Sequence, residues 1–72
     1  MKQGFVIWNI EYGYYTGHVL YSSEFSVYYI TSTKNKNDEN VKVYTSEKRA
    51  INAAEKLVEK CQDFNSYKIE PY

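Results

Sequence analysis

Residues 45–61 read TSEKRAINAAEKLVEKC, and this stretch decides the fold. Ala50, Ile51, Ala54, Leu57, Val58 and Cys61 recur at three- and four-residue steps, which places them on one apolar stripe of an α-helix. Lys48, Arg49, Asn52, Glu55, Lys56, Glu59 and Lys60 take the opposite face, where mixed signs describe a solvated surface. Lys56 and Glu59, three apart and opposite in charge, add a little local support. Thr45 or Ser46 supplies the N-cap and Glu47 suits the positive end of the dipole. Asp63, Asn65 and Ser66 end the helix. A single amphipathic helix needs a sheet to lie on, and the flanking sequence provides one.

Just upstream, Val41–Tyr44 reads as a short strand leading into the helix; just downstream, Tyr67–Glu70 reads as a last strand that Pro71 stops. Thr33–Asn40, TKNKNDEN, holds no apolar residue and is dense in turn formers, so it is expected to be an exposed, mobile loop. Earlier in the chain, Val6, Trp8, Ile10 and Tyr12 alternate with Phe5, Ile7, Asn9 and Glu11 in a period of two. The first half of that strand is apolar on both sides, as in a central strand covered twice. Gly13 marks the first turn, and Gly17 offers a bulge or a second turn. Tyr15, Val19 and Tyr21 then share one side of a second strand, with Tyr14, Thr16, His18 and Leu20 on the other. After a turn at Ser22–Glu24, Phe25, Val27, Tyr29 and Thr31 alternate with Ser26, Tyr28 and Ile30. The sequence therefore predicts one small α+β domain over residues 1–72. Its order is β-β-β-β-α-β, an antiparallel or mixed five-stranded sheet with one helix on one face.

Geometry carries the expectation further. A sheet of five strands is roughly 20 Å wide, and a helix about 10 Å across hides about half of one face. Val6, Trp8 and Ile10 are expected beneath the helix together with Phe25, Val27 and Tyr29. The other face, with Phe5, Ile7, Leu20, Tyr28, Ile30 and Tyr44, is left for a partner unless the sheet curls into a partial barrel. Nine tyrosines in 72 residues fit both a β-rich fold and an aromatic contact surface. Tyr14, Tyr15, Tyr28, Ile30 and Tyr44, with the 33–40 loop, are the expected partner-binding surface, because aromatic residues dominate interface hot spots. A two-fold homodimer burying sheet against sheet is the commonest way for such a face to be covered.

Composition narrows the chemistry. Nine basic and nine acidic side chains sum to zero, which removes the basis for strong non-specific attraction to nucleic acid or an anionic membrane. No apolar run approaches the roughly 20 residues of a membrane span, and no signal-peptide pattern is present. A lone cysteine, Cys61, excludes an internal disulfide and fits a reducing, cytoplasmic setting. A single histidine, His18, excludes two-histidine metal sites and reads as a polar residue on a strand face. Cys61 lies in the apolar stripe at the C-terminal end of the helix, where the dipole disfavours a thiolate. Gly13-Tyr-Tyr-Thr-Gly17 lacks the Lys and Ser/Thr of a phosphate-binding loop. No metal, cofactor or catalytic set is expected, and the reading is of a non-enzymatic protein-interaction module. The alternative is a small single-stranded nucleic-acid-binding domain that stacks bases on the same tyrosines, rimmed by Lys34, Lys36 and Lys42 beside Tyr28 and Tyr44.

The segment Val43–Leu57, VYTSEKRAINAAEKL, after a tyrosine-rich meander and before the short strand Tyr-Lys-Ile-Glu, resembles small phage and prophage proteins of low-GC Gram-positive bacteria. That resemblance implies a host-takeover or anti-defence factor, anti-CRISPR proteins among them, which acts by stoichiometric occupation of a host protein's surface.

Overall fold

A computed structural model describes residues 4–61, 64 and 66–72. The elements are β1 (Phe5–Asn9), β2 (Gly13–Ser22), β3 (Val27–Thr33), α1 (Glu47–Lys60) and β4 (Tyr67–Pro71). They form an α+β fold in which one antiparallel sheet, ordered β3-β2-β1-β4, carries α1 across β1 and β4. The sheet has four strands where five were expected. Val41–Tyr44 never becomes a ladder, because Tyr44 makes one bridge to Phe5 and Lys42 donates its N–H to Tyr15 O at 2.9 Å. The segment is wedged where β2 parts from β1, whose pairing is limited to Trp8↔Tyr14 and Asn9↔Gly13.

The helix forms as its sequence dictates. Ser46 is the N-cap, its Oγ accepting the Arg49 N–H at 3.2 Å, and Cys61 is the C-cap, donating its N–H to Leu57 O at 2.7 Å. Ala50, Ala54, Leu57 and Cys61 are buried with Ile7, Tyr15, Ile30 and Phe64 in one cluster. Ile51 is half-buried and Val58 is exposed at the margin of the stripe. The expected helix breakers Asp63 and Asn65 lie outside the described residues.

Two of the strands face the other way from expectation. Phe5 and Ile7 of β1 and Ile30 of β3 belong to the helix-side core, whereas Val6 and Trp8 turn away from the helix. Tyr29 pairs with Leu20 on that opposite face. A one-residue change of parity transfers a whole apolar set, and β1 is apolar at both parities, so its alternation holds no vote on which side meets the helix. Ile10 and Phe25 fall in turns and are exposed, outside any core.

Gly13 opens β2 at φ +94°, and a Cβ there would come within 2.5 Å of Thr33 O, so the β1–β2 turn and the close approach of β3 both require glycine. Gly17, also at φ +94°, sits in a bulge that shifts the β2–β3 register between Tyr15 and Val19. Asn9 is 1% exposed, and its Oδ1 accepts the N–H groups of Glu11 at 2.8 Å and Tyr12 at 3.1 Å, closing the first turn from inside.

The face away from the helix is partly covered by the chain itself. The 34–44 segment is braced by its own asparagine and aspartate turns, with Asn35, Asp38 and Val41 linked by backbone and side-chain hydrogen bonds. Lys34 Nζ donates to Glu11 O at 2.6 Å, and Lys36 Nζ donates to Pro71 O at 2.9 Å while lying 3.9 Å from Glu70 Oε1. Glu70 is the cross-strand partner of Val6, so the segment crosses the sheet over the β1–β4 side. Val6 is fully buried and Val41 is 4% exposed. The loop expected to stand free as a contact element is a strap on the sheet.

Candidate protein-interaction surface

Beyond Tyr14, β2 loses its ladder to β1 but continues its pairing with β3 to Ser22↔Val27. The end of the sheet is thus a two-stranded ribbon, an arrangement too thin to bury either face by itself. On one face Leu20 and Tyr29 lie opposite each other, each 45% exposed. On the other, Tyr21 and Tyr28 lie opposite each other with ring centroids 4.9 Å apart and planes inclined at 55°. Phe25 stands at the tip of the 23–26 turn, 71% exposed, its N–H donating to Ser22 Oγ. Lys60 Nζ sits 4.9 Å over the Tyr28 ring, and Cys61 bridges Tyr28 in parallel fashion, so the helix end touches the ribbon there. Leu20, Tyr21, Phe25, Tyr28 and Tyr29 form a compact apolar end with three phenol groups to accept or donate hydrogen bonds.

The five residues expected to make one contact face are dispersed. Tyr15 and Ile30 are buried at 8% and 7% exposure in the helix-side core, which removes both from any surface. Burial pushes the Tyr15 phenol pKa up, with Cys61 adding to the effect. Tyr44 is half-buried beside the core, its pKa pushed up to about 12 by burial and then by Tyr15, and Lys42 Nζ lies 5.7 Å from its ring centroid. Tyr14 lies next to Trp8 on the strapped face and donates to Glu70 Oε1 at 3.4 Å; burial and then the Glu70 charge raise its pKa. Of the five, only Tyr28 belongs to the ribbon end. Leu20 was expected on the uncovered face, whereas Tyr21, Phe25 and Tyr29 were not singled out, although LYSSEFSVYY over residues 20–29 carries the signal: large apolar residues at both parities around a polar turn.

The remaining reactive groups stand apart. His18 is exposed on β2 and lines a shallow depression of about 360 Å³ with Thr16, Thr31, Asp38 and Asn40. Among the described residues no side chain hydrogen-bonds to its imidazole, and its carbonyl accepts the Thr31 hydroxyl. Cys61 is 2% exposed, its thiol pKa pushed up by burial with Lys60 pulling weakly the other way, so it is a poor nucleophile. The three lysines expected to rim a stacking platform are separated: Lys34 and Lys36 hold backbone carbonyls of other strands, and only Lys42 adjoins an aromatic ring. Among the described residues, no helix is long and apolar enough to cross a membrane. Comparison of the chain with family models, with curated proteins and with solved structures finds no match.

Proposed function

We propose that this chain is a non-enzymatic protein-interaction module that engages a folded protein through the end of the β2–β3 hairpin. The observation that carries this reading is the gathering of five large exposed apolar side chains, Leu20, Tyr21, Phe25, Tyr28 and Tyr29, at the end of one ribbon. Tyrosine and phenylalanine bury large area with few rotatable bonds, which suits them to act as anchors in a partner's pockets. The simplest closed occupant is a second copy, two ribbon ends meeting about a two-fold axis; the other is a host protein. The narrower role of a phage-type host-takeover or anti-defence inhibitor draws its support from the resemblance of residues 43–57. A buried, unpaired Cys61 is in keeping with a reducing cytoplasm.

Sedimentation of the wild-type protein and of a Tyr21→Ser/Phe25→Ser variant, together with affinity capture from host lysate, tests the proposal. The expected result is a dimer or a captured partner that the double variant loses while keeping its thermal midpoint. A strict monomer whose captured proteins are the same with and without the two substitutions would overturn it.

A further inference from the structure

A second surface, independent of the hairpin, is marked by charge. Between the 42–45 segment and one flank of α1 runs an open groove of about 540 Å³, whose walls include Lys42, Tyr44, Arg49, Asn52 and Lys56. At about 100° of helix per residue, Arg49, Asn52, Ala53, Lys56 and Lys60 fall within one sector of roughly 100°, and Glu47, Glu55 and Glu59 fall outside it. The zero net charge of the chain therefore conceals a flank that gathers three of the helix's four cations, Arg49, Lys56 and Lys60, while Lys48 falls outside it among the glutamates. Among the described residues no carboxylate lines the groove. Among the described residues, none of Lys42, Arg49, Lys56 and Lys60 makes an ion pair. Two of these cations lie against aromatic rings, Lys42 at 5.7 Å from Tyr44 and Lys60 at 4.9 Å from Tyr28.

Unpaired like charges held along one track repel one another, and a ligand that brings spaced negative charges relieves that repulsion. The spacing selects its form. Arg49 and Lys56 are two helical turns apart, about 10 Å along the axis, and Lys60 follows one turn later, about 6 Å further. A single phosphate meets one or two of these positions, whereas an extended chain of phosphates meets all of them in sequence. Arg49 presents a planar fork suited to phosphate oxygens, and Asn52 adds a neutral hydrogen-bonding group between the cations. Tyr44, near one end of the track, offers aromatic surface to bases. We propose that this flank binds the phosphodiester backbone of a single-stranded nucleic acid, across Lys42, Arg49 and Lys56 in the groove and Lys60 one helical turn beyond Lys56.

Fluorescence anisotropy of a short labelled oligothymidylate at increasing salt, with wild type, Arg49→Gln/Lys56→Gln and Tyr21→Ser proteins, tests the assignment. Wild type is expected to bind saturably at low salt with affinity that falls steeply as salt rises. The double variant is expected to bind about tenfold more weakly, with a log–log salt slope shallower by about two. Tyr21→Ser, on the hairpin, is expected to leave both quantities unchanged, which separates this site from the protein-docking surface. Circular dichroism confirms that the double variant is folded, and Lys56→Gln alone, expected to show about half the slope change, serves if it is not. Absence of saturable binding at low salt, undiminished affinity in the folded double variant, or equal displacement by a polyglutamate peptide of matched charge would each overturn the proposal.

Discussion

The two halves of the sheet solve the same problem in opposite ways. Along β1 and β4 both faces are sheltered, by α1 on one side and by the 34–44 strap on the other, and the neighbours Val6 and Ile7 are both fully buried. At the end of the β2–β3 hairpin neither face is fully sheltered, and Leu20, Tyr21, Phe25, Tyr28 and Tyr29 are all more than two-fifths exposed. Both halves are equally rich in apolar residues. The doubly covered core therefore lies in one half, and exposed apolar surface lies at the end of the other.

The largest expected effect tests that division directly. Ile7→Ala, which empties a fully buried position beneath the helix, is expected to destabilise by about 2–5 kcal/mol in urea unfolding, whereas Phe25→Ala is expected to stay within about 0.5 kcal/mol of wild type. Comparable losses from the two would merge the halves into one cooperative core and remove the distinction. A smaller effect sharpens it. Gly13→Ala combines a positive φ with a backbone contact at 2.5 Å, while Gly17→Ala has the same φ with nothing closer than 3.6 Å, so the first is expected to exceed the second. The strain common to both is about 1–3 kcal/mol, and the excess at Gly13 measures how firmly β3 is pinned to the β1–β2 turn.

The smallest effect is one of pH. The Tyr44 phenol holds its proton up to about 12, against an ordinary 10.0, because it is partly buried beside Tyr15. The folded state thus binds that proton more tightly than the unfolded chain does. Its contribution is complete below the ordinary value and is lost as pH rises through the folded one. Urea midpoints are expected to fall on passing from neutral pH into that alkaline window, and Tyr44→Phe is expected to make the fall shallower. Tyr14 and Tyr15, whose phenols are also raised, preserve part of the slope. An unaltered fall in Tyr44→Phe would place the alkaline sensitivity elsewhere.

Much of this architecture is legible from residues alone. The Ser46 cap, the Ala50–Ala54–Leu57–Cys61 stripe, the turn before Gly13 and the common side of Tyr15, Val19 and Tyr21 follow from local rules, and each is present. The double apolarity of Phe5 to Trp8 also announced a strand covered twice. What that run withholds is which parity meets the helix, since Val6 and Ile7 satisfy burial equally well. The strap was hidden for a different reason. TKNKNDEN carries no periodicity, and its attachment depends on lysine ammonium groups reaching carbonyls of Glu11 and Pro71, partners distant in sequence. Both causes together scatter the expected surface: inverted parity buries Ile30, and the strap covers the face expected to be bare.

The pairing of β1 with β4 has a consequence in time. Phe5 lies opposite Pro71, and Tyr72 donates its N–H to Gly4 O, so the first strand finds its outer neighbour only in the last. The hairpin and the helix can close from nearby residues, but one flank of β1 stays open until β4 reaches it. That long-range closure is the step expected to set the folding rate of the sheet.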